Sequence, residues 1–284
     1  MRPTQIEDGA PFTLKVVPPF RLDLTVWALR RRPENKMDRW DGKTFCRGLV
    51  LNGKPVEIAV IQIGSMTMPR LQVTVTGVPS GHNLRAGVTE TLNRMLGLQA
   101  NLKGFYRHAA NDARLSILAR RFRGVKPPQF PSLLEALVNG IACQQFSLAA
   151  GIQILNRLSE KFGMSVTETG IRIHAFPRPE DLAALKPEPL RNLGFSRQKA
   201  GAIIELSRAI VAGNLGRDGF LWMMGRRSSN CVGSAAWDAG PRNTFCCGAS
   251  ADCIFFPATM WALGTAYENG SASGNPWITT ACAG

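Results

Sequence analysis

The chain has 284 residues, 45% of them apolar, which is enough for one large domain or two modest ones with buried cores. Its net charge of +14 at pH 7 attracts polyanions, nucleic acid before anionic membrane surfaces. No stretch approaches the length of a membrane-spanning helix, and residues 1–10 lack the apolar run of a secretion signal. We therefore expect a cytoplasmic, nucleoid-associated protein with no membrane partner.

The seven cysteines do not have the spacing of a zinc site, because no two matching Cys-x-x-Cys pairs occur. We therefore expect no metal site and no cofactor.

The segment from residue 11 to about residue 77 has the alternating pattern of β-strands. Alternation predicts strands in residues 22–28, 45–51, 56–63 and 71–75. Asn52-Gly53 is a hairpin turn signal, and residues 84–96 read as a helix with Val88, Leu92 and Met95 on one side. We predict a first domain, residues 1–100, made of a small antiparallel sheet backed by a helix.

From residue 101 the apolar spacing becomes helical. Ser132 and Glu135 have the spacing of a capping box at the start of a long helix. A second helix follows and ends near Gly163, and a third runs from Ser196 to Gly213. One stripe of the first of these helices is predicted to carry Leu134, Leu137, Ile141 and Gln145. We predict an all-helical second domain over residues 101–215.

The composition changes again after residue 217. Residues 218–284 contain two leucines, no lysine and five of the seven cysteines, and no apolar period survives. Three arginines against four acidic residues give this stretch a charge of −1, so residues 1–217 carry +15. A helical bundle cannot be completed from such material. We interpret residues 216–284 as an aberrant tail.

Three separated segments carry a resemblance to a known family. They begin PPFRLDLTVWALRRRPENKMDRW at residue 18, FPSLLEALVNGIACQQFSLAAG at residue 130 and FPRPEDLAALKPEPLRNLGFSRQKAGAIIELSRAI at residue 176. In this order, they resemble the DNA-3-methyladenine glycosylase II family within the helix-hairpin-helix DNA glycosylases, over about residues 11–215. The resemblance implies an α+β fold, with an antiparallel sheet domain before a helical glycosylase domain whose C-terminal part is incomplete here.

The family resemblance also implies a mechanism and DNA-contacting residues. Such enzymes rotate a damaged nucleotide out of the duplex and fill the gap with a wedge side chain. The corresponding motif here is Cys143-Gln144-Gln145-Phe146-Ser147, so the DNA-binding role passes to Gln144, Gln145 and Ser147. Without that flanking match, two adjacent glutamines at a helix end would be interpreted as part of a solvated surface.

An aromatic pocket is expected in this family, because electron-rich rings favour a cationic alkylated base. The candidates for its lining are Trp27, Trp40, Phe45 and Tyr106, with Phe105 beside the last. Taken one by one, such rings are more typical of an ordinary core.

The family's catalytic aspartate and its phosphate-gripping Leu-x-Gly-x-Gly hairpin are both missing after Leu215. Read one base earlier, the codons of residues 257–265 permit Gly-Asp-Asp-Val-Gly-Ala-Arg-Asn, which resembles the family's catalytic segment. The same shift over residues 231–248 permits a Gly-rich hairpin and its following helix. We infer a reading-frame change near residues 215–222, with the expected aspartate out of frame at Thr259 and Met260 and no catalytic residue assigned in the chain as written.

The resemblance thus implies a base-excision enzyme that hydrolyses the N-glycosidic bond of alkylated purines, and the missing aspartate implies that the chain is inactive as written. Two alternatives stay open: an oxidised-guanine glycosylase of the same superfamily, and a non-enzymatic DNA-binding remnant. The expected partner is double-stranded DNA containing damaged bases, bound by a monomer.

Overall fold

A computed structural model describes residues 11–77, 84–168 and 171–215 of the chain. The predicted tail, including the codons of Thr259 and Met260, lies outside the described residues.

The first domain contains a five-stranded antiparallel sheet with the strand order β1-β5-β4-β3-β2. Its elements are β1 (Phe12–Lys15), α1 (Leu22–Arg30), β2 (Arg39–Trp40), β3 (Thr44–Leu51), β4 (Lys54–Gln62), β5 (Arg70–Thr76) and α2 (Leu84–Leu96). Asn52 and Gly53 form the predicted β3–β4 hairpin turn, with positive φ angles of 51° and 75° and Leu51 opposite Lys54. Only glycine and a few polar residues adopt this backbone readily, which is why the Asn-Gly signal predicts the turn.

One hydrophobic core joins the sheet to its two helices. It contains alternating residues of β3, β4 and β5, such as Val56, Ile58 and Val60, together with residues of α1 and α2. Helix α2 has the predicted bounds, and the three apolar residues predicted to share one of its sides are buried.

The strand predicted for residues 22–28 is wrong, because these residues form helix α1. Its buried positions are Leu22, Thr25, Val26 and Leu29, which follow the three- and four-residue spacing of a helix face. Over such a short segment, an apolar residue at every second position fits a strand and a helix almost equally well. The helix is favoured because it places Leu22, Val26 and Leu29 together in the core against the sheet.

The second domain has a separate core built by helices α5, α6 and α9 with the short helices between them. Its elements are α3 (Lys103–Ala109), α4 (Ala113–Arg121), α5 (Leu133–Cys143), α6 (Leu148–Phe162), β6 (Ser165–Glu168), β7 (Ile171–His174), α7 (Pro179–Ala183), α8 (Pro187–Arg191) and α9 (Arg197–Val211). Leu155, Leu190 and Ile203 are among its fully buried members. Ser132 and Ser196 cap α5 and α9 as predicted, since their hydroxyls accept from the N–H groups of Glu135 and Lys199.

The prediction of an all-helical second domain is wrong, because β6 and β7 form a two-stranded antiparallel hairpin. Val166 and Ile173 are paired across it and buried. Four-residue strands give too few alternations for a pattern to be recognised in the sequence. Within the described ranges, no helix has the length and apolar character needed to cross a membrane.

Candidate DNA-binding site

The predicted DNA-contacting residues lie in the linker that joins α5 to α6, residues 144–147. Gln144 ends α5 in an extended conformation, with φ −69° and ψ 136°. Gln145 is exposed and has a φ of +56°, in the left-handed region that non-glycine residues rarely occupy. The hydroxyl of Ser147 accepts a hydrogen bond of 3.2 Å from the Ala150 N–H group and so caps α6. The structure thus brings all three predicted residues together at one turn.

The sequence predicted that Gln145 continues the apolar stripe of α5, and this prediction is wrong. The helix ends at Cys143, so the four-residue spacing from Ile141 to Gln145 no longer places the two side chains on one face. The extended Gln144 and the cap of Ser147 start a new helix instead of prolonging the old one. Consequently Gln145 lies at the apex of the turn.

Two apolar side chains of this linker region were missed in the sequence interpretation. Phe146 is 43% exposed and Leu148 is 39% exposed, although large apolar side chains are usually buried. An exposed ring beside an exposed amide can enter a stacked environment, such as the gap left in DNA by a displaced base. The signal available in the sequence was the apolar pair itself, which flanks a helix cap where polar residues are usual.

Lys199, in the first turn of α9, is a further residue at this site that the sequence did not indicate. Its Nζ atom donates a hydrogen bond of 2.6 Å to the Gln144 carbonyl oxygen and lies 4.2 Å from the centroid of the Phe146 ring. Partial burial lowers its pKa, and the nearby Cys143 thiol opposes that effect. The linker is therefore in contact with α9 as well as with the two helices that it joins.

The sheet domain holds the last turn of α5 through Arg31. One of its guanidinium nitrogens lies 2.5 Å from Asn139 Oδ1 and another lies 3.8 Å from Cys143 Sγ. Arg31 also lies over the Phe130 ring, at 5.6 Å, and has a left-handed backbone with φ +63°. This arginine connects the end of α1 to the turn of α5 that precedes the linker.

A buried ionic cluster fixes the other end of α5 to the sheet. Arg47 on β3 forms ion pairs with Asp38 and with Glu135 of α5, and all three side chains are at most 3% exposed. Burial by itself would lower the pKa of Arg47, but the two carboxylates overcome it and raise that pKa, so the guanidinium stays charged. Asn35 donates to Asp38 as well, with a distance of 3.0 Å.

The first turn of α6 packs tightly against the last turn of α5. A methyl group built on Gly151 of α6 would lie 2.8 Å from Cys143 Sγ and 3.2 Å from Cys143 Cα. Only glycine at this position therefore lets α6 approach the end of α5 so closely. The close approach places Ser147 and Gln145 on a rigid support.

The four aromatic residues proposed for a base pocket fall into two groups. Trp40 and Phe45 are cross-strand partners on β2 and β3, and Phe45 is fully buried in the sheet-domain core. Trp27 is 62% exposed and stacks on Phe122, with the ring centroids 6.0 Å apart.

Tyr106 belongs with the second group, because its phenol oxygen accepts a hydrogen bond of 3.0 Å from the Gly124 N–H group. Phe122 and Gly124 lie in the same turn after α4. Trp27 and Tyr106 thus adjoin one turn, whereas Phe45 belongs to the core.

Comparison with known proteins places the helical part in a repair superfamily. Residues 138–270 match the model of the HhH-GPD superfamily of base excision DNA repair proteins. This match starts inside α5 and continues to residue 270. The resemblance described above from the sequence ends at about residue 215.

Individual relatives and solved structures agree with that match. The DNA-3-methyladenine glycosylase of Bacillus subtilis strain 168 is 30% identical over 139 residues, which are 49% of this chain and 46% of that protein. The chain thus spans about half the length of this curated relative. The solved structure of the 3-methyladenine DNA-glycosylase from Archaeoglobus fulgidus is 25% identical, with a TM-score of 0.59 over 69% of this chain and 66% of that chain.

A Clostridium acetobutylicum 8-oxoguanine glycosylase/lyase, solved with double-stranded DNA containing cytosine opposite 8-oxoguanine, shares the fold. Its TM-score is 0.54 at 15% identity, over 74% of this chain and 67% of that one. The sheet followed by helices, the capped α5–linker–α6 unit and the matched family model lead to one conclusion. Residues 138–270 of the chain match the HhH-GPD superfamily of base excision DNA repair proteins, and the fold of the described part agrees with that match.

Proposed function

We propose that this chain derives from a DNA glycosylase that removes alkylated purines, 3-methyladenine among them, from double-stranded DNA. The observation that carries the proposal is the geometry of the α5–α6 linker. Gln145 is exposed at the apex of a turn, and the flanking helices are fixed to each other at Gly151 and to the sheet domain at Arg31 and Arg47. A rigid support of this kind is what a wedge into the base stack requires.

The first step of the proposed reaction is base displacement. A stacked base is inaccessible, so the enzyme rotates the nucleotide out and its wedge occupies the gap. In this chain the amide of Gln145 would enter the gap, and the exposed Phe146 ring would stack against the neighbouring base. The similarity to two 3-methyladenine glycosylases supports the alkylated purine as the displaced base.

Binding to the phosphate backbone is supported by charge. Residues 1–217 carry +15, and neutralising phosphates with lysine and arginine releases condensed counterions. The affinity for any duplex should therefore fall steeply as the salt concentration rises, whether or not a base is damaged.

The chemical step needs little beyond a placed carboxylate. An alkylated purine is cationic and leaves readily, so the sugar passes through an oxocarbenium-like state that a carboxylate stabilises and water then traps. We propose that the required aspartate is the one hidden across the codons of Thr259 and Met260, and that the chain as written is therefore inactive.

Release of 3-methyladenine from methylated DNA tests this proposal with three proteins. These are the chain as written, a version whose frame is shifted back near residue 215, and that version with the recovered aspartate changed to asparagine. We expect activity only in the second, because loss of a charge-stabilising group costs about a hundredfold or more in rate. A normal rate from the chain as written would refute the frame change and require another carboxylate.

A second candidate substrate is oxidised guanine, favoured by the fold likeness to the 8-oxoguanine glycosylase/lyase. The frame-restored protein distinguishes the two when DNA with one 8-oxoguanine opposite cytosine is offered beside methylated DNA. Excision of 8-oxoguanine alone would favour this candidate. Binding without excision of either base in the frame-restored protein would favour a DNA-binding remnant.

A further inference from the structure

We propose that Lys199 is a positioning residue that holds the α5–α6 linker in the conformation that presents Gln145 to DNA. The inference rests on the proposed wedge role of the linker and adds to it a third element of the fold. It concerns a residue 54 positions away along the chain, on α9.

Lys199 is itself held in a defined place. It lies in the first turn of α9, where the Ser196 hydroxyl accepts a 3.2 Å hydrogen bond from its backbone N–H group. The following residue, Ala200, is fully buried in the core of the helical domain. The side chain therefore extends from a fixed backbone and is half-buried against the linker.

The two contacts of the Lys199 ammonium lie on either side of Gln145. One is the hydrogen bond to the carbonyl oxygen of Gln144, and the other is the cation–π contact with the ring of Phe146. At 4.2 Å, the ammonium is well inside the distance of about 6 Å at which such contacts are favourable. A single charge thus fixes both neighbours of the residue at the apex.

Gln145 needs such support because of its own backbone. Its left-handed φ of +56° is unfavourable for a residue with a Cβ atom. Its side chain makes no hydrogen bond within the described ranges, so it does not stabilise that conformation itself. The strained conformation must be imposed by neighbouring groups, and Lys199 contacts both flanking residues.

A lysine near a DNA-binding turn has an obvious alternative role, which is direct contact with a phosphate. A phosphate contact contributes about one unit to the slope of log affinity against log salt, and it strengthens binding to every duplex alike. A positioning residue instead affects the DNA in which a base is missing or displaced. The two roles therefore have different measurable consequences.

The test compares Lys199→Met and Lys199→Arg with the unaltered full-length chain. Lys161→Met is a matched control, since Lys161 is also cationic and lies 5.6 Å from a phenylalanine ring, but at the far end of α6. Amide hydrogen exchange of the linker and the first turn of α6, residues 144–151, is measured without DNA, because the N–H groups of Gln144, Ala150 and Gly151 donate hydrogen bonds there. Affinity is then measured for intact duplex and for duplex with an abasic-site analogue, over a series of salt concentrations.

We expect Lys199→Met to increase exchange in the linker about tenfold, because a charge-assisted hydrogen bond is lost. It should reduce the preference for abasic-site DNA by a similar factor and leave the salt slope unchanged. Lys199→Arg should retain most of both properties, because a guanidinium also donates to a carbonyl and stacks on a ring. Lys161→Met should behave as the unaltered chain.

Two results would overturn the inference. One is unchanged exchange in the linker of Lys199→Met. The other is an equal loss of affinity for both duplexes with the salt slope lower by about one unit, which would make Lys199 a phosphate contact. If exchange increases but the unaltered chain shows no preference for abasic-site DNA, the positioning role stands and the proposed wedge function fails.

Discussion

Arg47 on β3 and Glu135 on α5 form a fully buried ion pair that joins the sheet domain to the helix preceding the α5–α6 linker. Burial raises the pKa of Glu135, and the charge of Arg47 acts against that rise. Since Asp38 occupies the other side of the same guanidinium, two carboxylates depend on one cation. Removal of that cation would leave two buried carboxylates without an ion pair, and Asp38 would keep only its hydrogen bond from the Asn35 amide.

We predict that Arg47→Met lowers the free energy of unfolding by about 3–5 kcal/mol, because breaking a buried pair leaves uncompensated charge. The measurement is urea unfolding at pH 7. Arg208→Met is the control, because its pair with Glu205 is half exposed or more on both sides, and we expect a loss within about 1 kcal/mol. A small effect at Arg47 would mean that water or protonation already relieves the two carboxylates.

Lys126 should make stability depend on pH in the alkaline range. Its side chain is fully buried, its ammonium donates to the Ala100 carbonyl oxygen, and burial lowers its pKa from 10.5 to about 8. The folded protein releases this proton at a lower pH than the unfolded chain, so between pH 8 and 10.5 the unfolded chain binds more protons and stability rises with pH.

Comparison with Lys126→Met isolates this contribution. The unaltered chain should gain on the order of 3 kcal/mol relative to the variant between pH 7 and pH 10.5. Lys103→Met, at an exposed position, should show no such gain. A constant difference between the unaltered chain and Lys126→Met across that range would contradict a lowered pKa.

Gly151 should tolerate no side chain, whereas Gly201 should accept one. Alanine at 151 would meet Cys143 Sγ at 2.8 Å, so we expect Gly151→Ala to destabilise the protein by about 1–3 kcal/mol. Gly201, inside α9, has nothing within 4 Å of a built Cβ, and Gly201→Ala should stabilise by about 0.5–1 kcal/mol. The melting temperatures of both variants test these expectations. A lower melting temperature for Gly201→Ala would contradict the open space at that position.

Gln145→Ala should weaken binding to abasic-site DNA more than binding to intact duplex, because the wedge contact forms only when a base is displaced. Gln153→Ala is the matched control, since Gln153 is an exposed glutamine on α6 outside the linker. Affinities for both duplexes give the ratio directly. Equal losses on the two DNAs would return Gln145 to the role of a solvated surface residue.

Local signals predicted several elements correctly, because each acts within a few residues. Ser132 and Ser196 as helix caps, Asn52-Gly53 as a hairpin turn and the apolar side of α2 all depend on neighbouring backbone groups alone. The segments that resemble the glycosylase family also led to the superfamily that the comparisons support.

Tertiary packing decided the remainder. The strand predicted at residues 22–28 became α1 because a two-residue apolar spacing over one short segment does not distinguish a strand from a helix lying on a sheet. The sequence placed Gln145 on α5, but the helix ends two residues earlier, where Ser147 caps the next one.

By itself, the sequence determined the basic character of residues 1–217 and the order of the segments that resemble the glycosylases, since charge and motif order can be counted without a structure. Only the folded chain showed that Arg47, Arg31 and Lys199 converge on α5 and its linker from three distant segments. Contacts between residues 50 to 110 positions apart depend on how whole elements pack, and local spacing carries no information about them.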